Sequence, residues 1–153
     1  VGMAGRGEAV PTADNRCEID PNVVDKYGIP VLRFNVKWSD YEVKQAKHMK
    51  ETFREIMHNM GAVITWGDDG PENNYGLESP GKIIHEAGTV RMGNNPKTSA
   101  LNKWNQSHDC NNLFVMDGGP FVSQADKNIT WTIMALSLRA SEYLVDQLKK
   151  QNL

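Results

Sequence analysis

The sequence predicts an α+β fold, and three features carry that prediction. Two stretches have the apolar spacing of long amphipathic helices, several short apolar runs of strand length lie around them, and the apolar content is that of an ordinary packed domain. At 153 residues the chain can bury a core. Its 17 Lys and Arg nearly balance its 19 Asp and Glu, so the basic excess or stripe of a nucleic-acid binder is missing. No run of about eighteen apolar residues, the length needed to span a bilayer, occurs.

Residues 1–28 are irregular and rich in Gly, Pro, Asn and Asp, with one short extended stretch at Arg16–Ile19. Gly28-Ile29-Pro30 then punctuates the start of a strand over Val31–Lys37, where Val31, Phe34 and Val36 partly follow a two-residue period. Ser39-Asp-Tyr-Glu42 has the form of a capping box and opens a helix. Its inner face is Ala46, Met49, Phe53, Ile56, Met57 and Met60, and Gly61 supplies the left-handed stop. The methionines read as adaptable core filler. Ala62–Trp66 reads as a buried strand ended by Gly67-Asp-Asp-Gly70-Pro71, residues 72–81 are turn-rich, and Lys82–His85 has the length of another short strand.

Residues 86–112 show no sustained period and predict an ordered but irregular excursion, of a length that is usually functional or disordered. Leu113–Met116 is a compact apolar strand closing on Asp117-Gly118-Gly119-Pro120. After a polar loop, a last helix runs from about Ile129, its inner face Ile129, Ile133, Leu136, Ala140, Leu144 and Leu148. Cys17 and Cys110 lack a CxxC partner and read as ordinary thiols, with a disulfide or redox role as the alternative.

Three segments carry polar groups in a chemically suggestive order: His85-Glu-Ala-Gly-Thr-Val-Arg-Met-Gly93, Asn112-Leu-Phe-Val-Met-Asp-Gly118 and the run from Asn128 to Arg139. Taken singly each has a plain reading. Strand-Asp-Gly is a common turn, and Asn128 before a helix is most simply an N-cap. In this order and spacing, however, they resemble the C-terminal signature of the glucose–methanol–choline (GMC) family of flavin oxidoreductases, in its sugar- and gluconate-dehydrogenase-like subgroup. The likeness is strong over residues 82–148 and looser upstream, at Pro11, Asn15, residues 25–30 and the helix after Ser39. Ile129 replaces the Pro that often follows the second catalytic position, where Pro mainly presets the backbone.

The resemblance implies a C-terminal piece of a larger FAD-dependent enzyme acting on CH–OH groups of sugars, sugar acids or alcohols. Residues 1–84 would belong to the substrate domain, a sheet packed by the long helix. Residues 85–153 would supply the catalytic loop and a strand and helix of the FAD-binding domain. It makes His85 the proton acceptor and Asn128 the donor that orients the substrate oxygen, roles suited to an imidazole and to an amide. Asp117, Gly118 and the backbone of Ile129 and Thr130 would meet FAD. Partners implied are a small sugar or alcohol, the N-terminal FAD-binding part of the same parent chain, and an electron acceptor that is oxygen, a quinone or an electron-acceptor protein such as a cytochrome, the residues leaving these three open.

The dinucleotide fingerprint GxGxxG after a strand is absent, so most of the FAD site is expected outside these residues and the chain alone is expected to hold FAD weakly and to be inactive. Zinc has no support: Thr89 stands where HExxH needs its second His, and His48, His58 and His108 have no i,i+4 partner. No GxSxG elbow supports a hydrolase. His108, in a polar loop, reads as a surface residue. A stand-alone binding or assembly domain reusing the same module is the alternative from another class.

Overall fold

The computed structural model describes residues 2–67, 69–124 and 127–153. Val1 of the Gly-rich start, Asp68 of the turn after Trp66, and Ala125 and Asp126 of the loop before the last helix lie outside the described residues. The result is a mixed α+β chain with one small antiparallel sheet and two long helices. Its contacts divide it into two units, residues 1–84 and 85–153.

The first unit holds a hairpin of β1, Arg16–Val24, and β2, Pro30–Asn35. Arg16 stands opposite Asn35 and Ile19 opposite Leu32, with an irregularity before Val24 meets Pro30. The turn forms because Asp25 caps it: its Oδ1 accepts from the amides of Tyr27 at 2.8 Å and Ile29 at 3.0 Å, while Gly28 takes the left-handed φ of 80°. Pro30 opens β2, where its missing N–H costs no ladder bond. At the open end Asn15 holds both backbone groups of Lys37, accepting at 2.8 Å and donating at 3.2 Å. Ile19, Leu32 and Phe34 remain exposed, so neither face of this hairpin is a finished core layer.

Helix α1, Asp40–Asn59, is built as its local sequence dictates. The capping box is complete: Tyr41 N–H donates to the Ser39 hydroxyl at 3.2 Å, and Glu42 accepts from the Ser39 amide at 2.7 Å. Gly61 at φ 69° ends the helix, with Ala62 N–H reaching back to Met57 O at 2.9 Å. Glu42 and Ala46 are buried, whereas Ile56 and Met60 at the other end are exposed. The helix packs on the kinked 3-10 segment Pro71–Gly76 and is bonded to the N-terminal segment through Gln45 to Glu8 and Glu42 to Val10.

Three expected strands did not form as ladders. Residues 62–66 carry no regular structure, and Val63 and Trp66 are exposed; residues 82–85 form turns, and Ile84 is 91% exposed. A strand requires a neighbour for its N–H and C=O groups, and among the described residues none is offered to either run. Leu113–Met116 forms no named strand and pairs only locally with residues 105–107, through a bridge of Phe114 to Gln106 and the bonds of Ser107 N–H to Leu113 O and Val115 N–H to Asn105 O, both 2.9 Å.

In the second unit α2, Thr130–Lys149, buries Ala140 completely, with Ile133, Leu136 and Leu144 half-buried on the expected face and Leu148 exposed. Tyr143 stacks on Trp104 at 4.8 Å with the rings 3° from parallel, and Ser137 Oγ donates to Met116 O at 2.9 Å. These contacts fasten the irregular excursion to the helix; an aromatic pair of this kind contributes about 1 kcal/mol beyond its buried area. No helix among the described residues is long and apolar enough to cross a membrane.

The buried Glu42 gives a stability test. Burial pushes its carboxyl up, but bonds from the Ser39 hydroxyl and the Val10 and Ser39 amides outweigh that and hold it below the ordinary carboxylate range. Its folded pKa is therefore depressed. The stabilisation is full above the unfolded value of about 4.3 and is lost as pH falls through the folded one. Glu42→Gln should lower stability at about pH 6 by roughly 1 kcal/mol and by less at about pH 3, measured by thermal unfolding. An equal loss at both pH values would contradict the charged cap.

Candidate active site

His85 opens the second unit, half-buried, and its Nε2 stands 2.9 Å from Oδ1 of Asn128, 43 residues along the chain. A carboxamide oxygen only accepts, so this contact is a hydrogen bond in the tautomer with hydrogen on Nε2; in the tautomer with hydrogen on Nδ1, Nε2 accepts instead from the amide turned over to present its NH2. Asn128 is not the helix cap. The N-cap position falls on Ile129, and no side chain caps it. The amide that local sequence would spend on the helix is spent on the imidazole.

What holds His85 there is the segment behind it. The amides of Gly88, Val90 and Met92 donate to the carbonyls of Gly118, Gly119 and Pro120 at 3.1, 3.1 and 3.0 Å. The catalytic-loop candidate is thus stitched along the Asp117–Pro120 turn. Asp117 fixes that turn itself, its Oδ1 accepting from Gly119 N–H at 2.7 Å, and the residue is exposed.

The glycines divide by need. A Cβ at Gly119 would stand 2.7 Å from Val90 Cγ2 and 2.9 Å from Asp117 Oδ1, and Gly88, at φ 82°, would meet Phe121 O at 3.0 Å. At Gly118 a Cβ would make only ordinary contacts, the nearest Ile129 Cδ1 at 3.4 Å, and its φ is not left-handed. The fold itself therefore needs glycine at 88 and 119, while Gly118 leaves a smooth backbone edge beside the start of α2. Sequence reasoning picked Gly118 and passed over Gly119; the Pro after the pair was the available signal that the second glycine lies in a crowded turn.

All six expected site residues, His85, Asp117, Gly118, Asn128, Ile129 and Thr130, gather around the amino end of α2. Beside them lies an open concavity of about 330 Å³, walled by Met92, Phe121 and Val122, with Gln124, Asn128 and Thr132 supplying polar groups. The residues 121–124 were missed by sequence reasoning, since a polar loop without periodicity gives no orientation. The expected surface position of His108 needs correction: it is half-buried, with Nε2 3.1 Å from Ser99 Oγ and 3.2 Å from Gly93 O, because the irregular excursion folds back on itself. Cys17 and Cys110 are exposed free thiols. No cluster of three or more His, Cys, Asp or Glu side chains suited to a metal occurs among the described residues.

An imidazole and a carboxamide thus meet beside an uncapped helix start. The chain belongs to the GMC oxidoreductase family, whose model matches residues 11–137. It is 36% identical to the 2-methyl-1,2-propanediol dehydrogenase of Mycolicibacterium austroafricanum over 90% of this chain and 24% of that protein. It is 30% identical to the gluconate 2-dehydrogenase flavoprotein of Pantoea cypripedii, over 98% of this chain and 24% of the relative. To the fructose dehydrogenase large subunit of Gluconobacter japonicus it is 29% identical, over 94% and 25% respectively. The chain spans about a quarter of the length of these curated relatives.

Because Asn128 turns away from the helix, Asn128→Ala should change unfolding free energy by less than about 0.5 kcal/mol in denaturant titration, where loss of a true cap costs about 1 kcal/mol. A loss of the larger size would reinstate Asn128 as a cap.

Proposed function

We propose that the full-length protein is an FAD-dependent oxidoreductase that converts a CH–OH group of a sugar, sugar acid or other alcohol to a carbonyl. The observation that carries this reading is the 2.9 Å meeting of His85 and Asn128 at the start of α2. FAD, when bound, supplies the hydride acceptor. The residues present suit such a group: an uncapped helix start offers amides and a positive dipole end to an electron-rich edge. An apolar wall of Met92, Phe121 and Val122 suits a flat ring, and Gly118 has a backbone edge that packing does not require to be bare. Ile129 and Thr130 would hold the ring edge through their backbone, and Asp117 and Gly118 the chain beyond it.

The substrate hydroxyl displaces the direct His85–Asn128 contact. The Asn128 amide, turned to present its NH2, donates to the substrate oxygen and orients it, and Nε2 of His85, in the tautomer whose hydrogen sits on Nδ1, takes the hydroxyl proton and leaves the ring an imidazolium. Fixing both groups before substrate arrives removes the entropic cost of aligning them at reaction time. Sugar, sugar-acid and diol substrates suit a relative set named for gluconate, fructose and a propanediol. The relative from Gluconobacter is named as a large subunit, which favours a further subunit as partner of the full-length protein.

The first unit serves as part of the substrate domain and the second as the catalytic loop and part of the FAD domain. Trp131, Met134 and Leu138 form an exposed apolar stripe on α2, Trp131 at 86%, and the hairpin carries its own exposed apolar residues. The upstream part of the parent chain covers these surfaces, and the 153 residues alone are inactive and hold FAD weakly. A non-catalytic binding module leaves the His85–Asn128 pair without a purpose.

In the full-length protein, His85→Ala should slow single-turnover flavin reduction by about 10²-fold or more, the usual contribution of a general base. An unchanged reduction rate would exclude His85 as the proton acceptor.

A further inference from the structure

Asn105 lies outside every segment assigned to the site. It is fully buried at 0% exposure and holds φ at 61°, a left-handed conformation that Asn tolerates better than other side chains. Its carbonyl accepts from Val115 N–H at 2.9 Å, and its Nδ2 donates to Val115 O at 2.9 Å. One residue therefore grips both backbone groups of Val115. The next residue, Met116, has its carbonyl held by Ser137 of α2 at 2.9 Å, and Asp117 and Gly118 follow directly.

The amide is held at a cost, since no donor among the described residues reaches its buried Oδ1. An apolar side chain would avoid that cost but would release Val115 O. The expected strand over Leu113–Met116 has only a short antiparallel neighbour, residues 105–107, joined by the Gln106–Phe114 bridge and by Ser107 N–H to Leu113 O at 2.9 Å, and the two-bond clamp of Asn105 extends that pairing to Val115 and fixes its register there.

We infer that Asn105 is a positioning residue: by clamping Val115 it sets where the Asp117–Gly118 turn sits, and through that turn how tightly the flavin is held. The inference rests on the FAD reading above.

The test uses the full-length flavoenzyme with Asn105→Gly, which keeps the left-handed freedom and the backbone bond, and Asn105→Asp, which keeps the shape but loses the donor. Leu101→Ala is the control, a 2% exposed core residue of the same excursion that makes no bond to Val115. FAD dissociation constants of the refolded apoproteins and the visible spectrum of the bound flavin are measured. The expected result is FAD affinity about tenfold weaker, or about 1.4 kcal/mol, in the Gly variant, with a shifted flavin band. The Asp variant should match it, and Leu101→Ala should keep wild-type affinity and spectrum. Wild-type affinity and spectrum in Asn105→Gly would overturn the inference, as would equal weakening by Leu101→Ala. A wild-type protein that binds no FAD would instead remove the functional reading on which it stands. If the Asp variant does not fold, the Gly variant decides.

Discussion

The contact between the His85 imidazole and the Asn128 carboxamide is the constraint around which the second unit is arranged. It joins a loop that has no regular structure to the start of the longest element in its unit. Neither end could hold the position alone. The loop is fixed by three amide-to-carbonyl bonds from Gly88, Val90 and Met92 to the Gly118–Pro120 run, and that run is fixed by Asp117. The helix end is fixed by its own packing, through Ala140, Tyr143 and Ser137, rather than by a cap. Leaving a helix without its cap is mildly unfavourable, and the polar residue beside it meets the imidazole instead.

The same principle, local stability given up for a site completed elsewhere, explains the apolar exposure. Helices satisfy their backbone internally and form wherever period and ends are right, as α1 and α2 do. Strands depend on neighbours. The hairpin forms because its partner is five residues of turn away, whereas the apolar runs at 62–66 and 113–116 form no ladder. In the proposed full-length enzyme, the remaining neighbours come from the upstream chain.

These differences set what could be read from sequence. The α1 boundaries were legible because Ser39, Glu42 and Gly61 act within a turn of where they stand. The inner face of α2 was legible from its period, apart from Leu148, which is exposed in the last turn. The runs at 62–66 and 82–85 look like strands because hydrophobicity marks burial in a sheet without saying whether the sheet is present. For the site, no local rule joins residues 43 apart; His85 and Asn128 were found only through the order of three segments. Gly119, the 121–124 wall and the burial of His108 depend on how an aperiodic excursion folds back, which no period encodes.

An experimental structure of the full-length protein with flavin bound tests the central claim most directly. The expected result has the His85 Nε2 and the Asn128 side-chain amide on one side of the flavin ring, both within about 3 Å of a common point where a substrate oxygen can sit. A flavin seated away from the amino end of α2, or either side chain turned from that point, would contradict it.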